Sequence, residues 1–572
     1  MMWFHRFDDR FLLEKREVDL LVAEGLVKCV TWHVNELEGT VRADLDFEAG
    51  GRLREAMLVY PFVFPYAPLQ VRPRHEGECW SGHQWPTGEL CLEIRADNWH
   101  PDFTARDMIL SARKLLDTEA TVDDAGAPLR VPSAHQFTEG QRLSRHILRL
   151  VISDDMIAEV NRRGTATHLV DLKSTEYDVL RVFTAMSSAG SAYHSEWIDR
   201  GVPARTRSND NRVARIVVLE DGDSRHLALT DPNFKPEQIW AQFSSIPFDR
   251  NAIVVGLLHD RVLAKWLLMD EVYDIEAILM DNQQRSPTRN DSASGKLVAI
   301  VGCGSMGSKV AASLARCGVA RFFLVDGDVL KPSNLVRNDL DWSAVGAHKV
   351  DGVINRLRLI KPDVQVEKWT GRLGGQHSTT SLVGCLATLS KCDLIIECTG
   401  SGQGFSFAAA VATQDKVAMI WGRVFGGGYG GYVARSRPGI EAPPLDVRYD
   451  IYTFMTDPSL PKPPDDSDID YGSEADDQVT MIADDADVSV ISAHLARMSL
   501  DALRLPEQTD YPYSAYLIGL RKEWIFDAPF AVQPLNLRKA SSEPAEAETP
   551  SLVEVEQRIP NVAEGSPSGT VG

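Results

Sequence analysis

The chain has 572 residues, of which 44% are hydrophobic and 25% charged, a composition ordinary for folded protein and a length suited to about three to four domains. Its 60 Lys and Arg stand against 81 Asp and Glu, a formal charge of −21, which argues against nucleic acid or an anionic membrane surface as partner, since both repel a polyanion. Eight cysteines without a C-x-x-C pair exclude a zinc clasp or a disulfide framework. No run approaches the roughly 18 apolar residues of a membrane span, and MMWFHRFDDRF lacks a signal-peptide core. A cytoplasmic protein is expected.

In chain order, residues 5–28 carry Phe11, Leu12, Val18, Leu20, Leu21 and Val22 at helical spacing. Residues 40–47 alternate like a strand, and Gly50-Gly51 mark a turn. Tyr60-Pro61-Phe62, with Pro65 and Pro68, excludes a helix or an interior strand, because repeated prolines remove backbone donors. Next comes GECWSGHQWPTGELCLEIRADNWHPDFT, with Cys91 preceded by Gly88 and followed by Trp99, Pro101 and Thr104. A helical pattern covers 107–116.

This segment resembles the catalytic core of ubiquitin-conjugating enzymes. There Tyr-Pro-Phe-x-x-Pro precedes His-Pro-Asn, then G-x-[IL]-C-L, then Trp-x-Pro-x-x-Thr. The resemblance implies an N-terminal α+β domain in which Cys91 carries an acyl thioester that an amine attacks. Trp99 and Pro101 support that site. His83 lies eight residues before Cys91, and Trp85-Pro86 stand where the family has Pro-Asn, so the oxyanion-stabilising Asn is missing or displaced. His83 or His100 could supply a donor or proton acceptor, with a structural role open for each. Taken alone, Cys91 also fits a buried small apolar residue. Cys29 and Cys79 read as structural.

Residues 126–285 contain apolar runs at 214–219 and 252–258 but no glycine phosphate loop. They suggest a middle α/β domain, either a spacer or an inactive adenylation-like half, the latter by analogy only. DNQQRSPTRNDSASG, at 281–295, reads as a linker.

KLVAIVGCGSMGSKVAASLARCGVARFFLVDGDVL follows. An apolar strand enters Gly302, Gly304 and Gly307 in G-x-G-x-x-G spacing, a helix covers 309–317, and a second strand at 322–325 ends in Asp326. That order suits a nucleotide: glycines let backbone N–H groups approach phosphate, and the acid takes a ribose hydroxyl. Asp328, Asn334, Arg337 and Lys349 go beyond what a dehydrogenase needs; fixed cations instead suit attack on the α-phosphate of ATP. D-x-D, S-N-L-x-R and G-x-x-K in sequence resemble the ThiF/MoeB/ubiquitin-activating superfamily, which adenylates the C-terminal glycine of a protein. The resemblance implies a Rossmann-like domain, Asp326 on ribose, Asn334 and Arg337 on the phosphates, and Lys349 steadying the α/β-phosphates. The family's Mg²⁺-holding Asp is Gly400 here, which leaves Glu397 or Asp328 for the metal.

The glycine-rich 426–431 reads as a flexible stretch that a threaded glycine tail could pass. No cysteine follows Cys398, so no separate activating-domain thioester is expected unless Cys385, Cys392 or Cys398 is recruited. Residues 461–487 hold ten carboxylates and one Lys and read as a solvated loop, or one lying over a bound tail. Residues 488–505 read as a helix, 514–526 as an edge strand and 536–572 as a disordered tail.

The expected domains are therefore 1–125, 126–285 and 286–535. A conjugating-like domain ahead of an activating-like one resembles bacterial fused activating–conjugating proteins of CBASS antiphage operons, which attach a CD-NTase by its C-terminal glycine, or of ubiquitin-like conjugation operons. That implies ATP and Mg²⁺, a partner ending in glycine (a CD-NTase or a ubiquitin-like protein), an amine acceptor such as a target lysine, and a homodimer. The rivals are a ThiF/MoeB-like sulfur-carrier adenylyltransferase and a non-catalytic nucleotide-gated adaptor.

Overall fold

The computed structural model describes residues 2–85, 87–121, 138–144, 146–189, 195–203, 211–220, 222–259, 261–280, 293–464, 483–504 and 509–540. The chain divides into two units, Met1–Arg145 and His146–Gly572.

In the first unit, α1 (Trp3–Arg6) and α2 (Asp8–Ala23) precede β1 (Cys29–Asn35), β2 (Thr40–Ala49), β3 (Arg52–Tyr60) and β4 (Gln70–Pro73). The strands form an antiparallel meander in that order. Alternation along β2 buries Val41, Ala43, Leu45, Phe47 and Ala49. They share a core with Met108, Ile109, Ala112 and Leu116 of α3 (Ala105–Glu119). Strand β3 stops at Tyr60, directly before Pro61, and Pro73 ends an edge strand, where a missing donor costs nothing. Thr104 and Asp107 form a capping box that starts α3. A short α4 (Glu139–Leu143) follows.

The second unit begins with β5 (Leu148–Ser153), α5 (Asp154–Arg163), β6 (His168–Tyr177), β7 (Leu180–Ala189), β8 (Ser195–Ile198) and β9 (Asn211–Val218). Then come α6 (Ser224–Thr230), α7 (Pro236–Phe243), β10 (Asn251–Leu257), β11 (Val262–Leu268) and β12 (Glu271–Met280). The strand order is β5-β12-β11-β10-β9-β6-β7-β8, and β5 pairs with β7 as well as β12, which closes the sheet on itself. Alternation explains why β10 is apolar throughout. Ile253, Val255 and Leu257 enter one core, while Ala252 and Val254 enter another with Leu229, Ile239 and Trp240. This closed, mixed sheet differs in strand order from an open, doubly wound one.

The remaining elements are β13 (Leu297–Val301), α8 (Ser305–Arg316), β14 (Arg321–Val325), α9 (Lys349–Ile360), β15 (Gln365–Trp369), α10 (Thr379–Leu389), β16 (Leu394–Glu397), α11 (Gly402–Gln414) and β17 (Ala418–Val424). They are followed by β18 (Gly430–Ser436), α12 (Pro444–Met455), α13 (Asp485–Arg504), β19 (Ala515–Gly519) and β20 (Val532–Leu535). The sheet runs β15-β14-β13-β16-β17-β18-β19-β20, parallel through β17 and antiparallel beyond it. Apolar side chains cover both faces, one under α8, α9 and α13 and the other under α10, α11 and α12.

Two sequence expectations change here. Residues 514–526 do not form an edge strand, because β20 lies outside β19. Residues 426–431 are packed rather than flexible: a 3-10 turn, Gly426–Gly428, leads into the wholly buried β18. A Cβ on Gly430 would sit 2.7 Å from the Ile518 carbonyl oxygen, and one on Gly431 2.5 Å from that of Arg423. The glycines there allow close strand packing. The acidic 465–482 and the tail beyond 540 lie outside the described residues.

Candidate functional site

Two places bring the sequence-selected residues together, one in each unit. In the first unit, Cys91 follows Leu90, whose N–H donates to the Val71 carbonyl, and its own N–H donates to the His83 carbonyl at 2.8 Å. A local bridge between Gln84 and Leu90 folds the preceding loop back. Cys91 is half-buried. Burial pushes its thiol up, Arg95 pulls it down and Glu89 pushes it up further. Trp99 Nε1 donates to the Pro65 carbonyl at 2.7 Å, tying the segment after Cys91 to the proline loop. His100 is exposed, 3.2 Å from Asp102.

Sequence reasoning missed the anchor of that segment. Arg10 of α2 donates to the carbonyls of Pro101 and Phe103 and pairs with Glu14 at 2.8 Å. Glu14 is fully buried and accepts from Tyr60 Oη at 3.0 Å and Ala105 N at 2.8 Å. Desolvation raises its carboxyl above the usual range despite those donors. Asn98, also missed, closes a turn between Arg95 N and the Glu93 carbonyl.

In the second unit, a cavity of about 320 Å³ opens at the carboxyl ends of β13, β14, β16 and β17 and is lined by Gly302, Gly304, Asp326, Asp328, Asn334, Arg337 and Lys349. From β13 the chain passes to β14 and β15 on one side and then crosses over to β16 and β17 on the other, and ligands of open α/β sheets bind at such a switch point. Each glycine is constrained differently. Gly302 has φ +93°, and a Cβ there would sit 2.9 Å from the Cys398 carbonyl. A Cβ on Gly307 would run into the Gly302 carbonyl oxygen. Gly304 has an ordinary φ of −74°, and a Cβ there would meet no protein atom within 4 Å. Among the described residues, nothing beyond its chain neighbours excludes a side chain at 304. Helix α8 starts there with no side-chain cap and no acid in its first turn, so its N–H donors and positive end are left for an anion.

Asp326 holds the turn as well as lining the cavity: its two oxygens accept from Cys303 N at 2.7 Å and Asp328 N at 2.8 Å. Burial raises its carboxyl, and those N–H groups with Lys349 oppose the rise. Lys349 opens α9 and reaches Asp328 at 2.8 Å. Asn334 accepts from Lys331 N, which closes the 3-10 turn Pro332–Asn334. The Arg337 guanidinium makes no hydrogen bond or ion pair with the described residues, leaving a cation aimed at the cavity without a protein anion.

Residues 287–442 match the model of the ThiF family. The chain is 32% identical over 142 residues to the ATP-dependent ubiquitin transferase-like protein Cap2 of Enterobacter hormaechei subsp. hoffmannii (strain UCI 50), covering 24% of this chain and 23% of that protein. It is 27% identical over 165 residues to ubiquitin-like modifier-activating enzyme 5 of Caenorhabditis briggsae, covering 27% and 38%. The chain thus spans less than two-fifths of either relative's length. The solved structure of E. coli MccB with ATP aligns at a TM-score of 0.32 with 14% identity, over 44% of this chain and 67% of that one.

Within the ThiF segment, Glu397 is not among the residues that line the cavity. It is 4% exposed and lies behind the cavity wall. Its Oε1 accepts from Thr399 N at 2.8 Å and from Thr399 Oγ1, and burial raises its carboxyl. A carboxyl so enclosed and already engaged by Thr399 is a poor magnesium ligand. Asp328 fits better: it lines the cavity and its side chain is 67% exposed. Gly400, at φ +68°, contributes no carboxylate. No cluster of three metal-ligating side chains exists among the described residues, so Mg²⁺ would rest on Asp328 and the phosphates, its usual manner.

The three thiols named as alternatives, Cys385, Cys392 and Cys398, are poorly suited to carrying an acyl group. Cys385 and Cys392 are buried, with thiols pushed up to about 12, and burial raises Cys398 well above the usual range. The cavity also takes residues that sequence reasoning missed: Asn338, Arg372, Arg423, Ala483 and Val488. Asn338, one residue beyond Arg337, donates to the Cys303 carbonyl at 3.3 Å. Among the described residues, no helix is long and apolar enough to cross a membrane.

Proposed function

We propose that the chain activates the C-terminal carboxylate of a glycine-ended partner protein with ATP and passes it, as a thioester on Cys91, to an amine. The observation that carries the activation step is the combination at the cavity: a glycine turn whose central position lines the cavity with no described side chain or backbone beyond its chain neighbours within 4 Å, an uncapped helix start, and Arg337 without an anion among the described residues. The ThiF-family match and the likeness to a ubiquitin transferase-like protein and a modifier-activating enzyme support the same chemistry.

The substrate carboxylate oxygen bonds to the α-phosphorus as the bond to the departing pyrophosphate breaks. Gly304 and the α8 N–H groups bind the phosphates; Arg337 and Lys349 meet the developing negative charge. Bound Mg²⁺ would neutralise phosphate charge, and Asp328 is the residue placed to hold it. The Cys91 thiolate then attacks the acyl carbonyl, AMP leaves, and an amine displaces the sulfur. Keeping both sites on one chain replaces a diffusional encounter with a tethered one. The partner expected from the sequence is a CD-NTase or a ubiquitin-like protein, and a homodimer is the expected assembly.

The test is pyrophosphate exchange into ATP, dependent on a partner ending in glycine, followed by trapping of a reducible adduct on Cys91. No partner-dependent exchange would refute activation. Exchange together with product formation by Cys91→Ala would favour the second reading, a sulfur-carrier type activator. That reading draws support from the raised Cys91 thiol.

A further inference from the structure

The cavity takes lining from the ends of three successive strands: the glycine turn after β13, Asp326 after β14, and Gly371, Arg372 and Leu373 after β15. These strands are neighbours in the order β15-β14-β13, each step about 4.8 Å. With phosphates at the start of α8 and ribose at Asp326, a nucleotide laid along that row brings its base to the stretch after β15. The last two linings are packed as one. Asp326 N donates to the Trp369 carbonyl at 3.3 Å, and a Cβ on Gly327 would sit 2.8 Å from Arg372 N. Leu373, buried but for its place on the cavity, offers a flat ring an apolar contact.

This stretch is held from behind. Residues 371–377 read GRLGGQH. Gly375 N donates to the Arg372 carbonyl at 2.7 Å, and Gly374 at φ +87° supplies the left-handed residue that such a turn requires. The N–H of Arg372, which enters the turn, donates to His377 Nε2 at 3.1 Å. A backbone N–H can only donate, so Nε2 must present its lone pair. The imidazole lies 4.8 Å from the Trp369 ring, and Trp369 Nε1 donates in turn to Ser381 Oγ of α10 at 3.1 Å. A Cβ on Gly371 would meet that same indole at 2.6 Å. The turn is therefore pinned between β15 and the helix that follows, with His377 as the pin.

We infer that His377 is a positioning residue for the base of the nucleotide: by accepting from Arg372 N it holds 371–373 at the depth where the base packs. This rests on the reading of the cavity as an ATP site. His377 is exposed and is not among the cavity-lining residues, so it acts through the backbone of the turn and touches no reacting atom.

The experiment compares calorimetric binding of ATP and of inorganic tripolyphosphate, which carries the phosphates without ribose or base, to the full chain, with thermal unfolding to confirm the fold. H377A is expected to weaken ATP about 3- to 10-fold, the worth of one neutral hydrogen bond, and to leave tripolyphosphate unchanged. H377Q, whose Oε1 accepts in place of Nε2, is expected to restore ATP affinity to within about twofold of wild type. Unchanged ATP affinity in H377A overturns the inference. So does an equal loss for tripolyphosphate, which would make the ring a support of the whole site, or an H377Q chain no better than H377A. If H377A does not fold, H377F, which keeps a ring beside Trp369 and removes the acceptor, decides on the same readouts. No ATP binding by the wild-type chain fails the nucleotide reading itself, a separate outcome.

Discussion

Gly304→Ala and Gly307→Ala separate what the glycine turn does for the fold from what it does for a ligand. At 304 the backbone is ordinary and the added methyl meets no protein atom within 4 Å. The gain from a less flexible unfolded chain, about 0.4–1 kcal/mol, offsets a poorer helix cap costing about 0.5–1 kcal/mol. Stability should therefore stay within about 0.5 kcal/mol of wild type. The methyl occupies the space a phosphate would fill, and losing one charge-assisted hydrogen bond of about 1.5–3 kcal/mol weakens ATP binding roughly 10- to 150-fold. At 307 the methyl would lie 3.0 Å from the Gly302 carbonyl carbon and closer still to its oxygen. Helix and strand must part, which costs about 1–3 kcal/mol or more. Calorimetric ATP titration and thermal unfolding read both variants. A G304A chain that binds ATP like wild type, or that is destabilised as much as G307A, refutes the account of the cavity.

Three further outcomes follow from buried groups. Arg435 is fully buried among Glu441 at 2.9 Å and Asp501 at 3.2 Å; Arg435→Ala takes the cation from Asp501 and leaves Glu441 with Arg437, and should cost about 3–5 kcal/mol, read as a lower urea midpoint. Glu14 has a folded-state value above its unfolded one, so its contribution is full below the unfolded value and is lost as pH rises through the raised one. The Tm of Glu14→Gln relative to wild type should therefore climb as pH rises above the ordinary carboxylate range, and a pH-independent gap would count against the burial. The raised Cys91 thiol predicts alkylation by iodoacetamide that accelerates about tenfold per pH unit between pH 7 and 9; a flat profile would reveal a thiolate already formed.

The sequence by itself determined the glycine turn, the strands on either side of it and the cations that follow, because phosphate binding at a strand–helix junction needs a short contiguous motif. It also marked Cys91 through its fixed offsets to Gly88, Trp99 and Pro101. Tertiary structure alone decided which carboxylates face the cavity. Glu397 ends its strand in the right place, yet its side chain closes onto Thr399, a choice made by packing that leaves no periodic trace. The same holds for Arg423, Ala483 and Val488, brought from elements far apart in the chain to one cavity wall, and for Arg10 and Glu14, which meet Pro101 and Ala105 across some 90 residues. The closed sheet of the middle segment was likewise illegible, since alternation reveals a strand but not its neighbours.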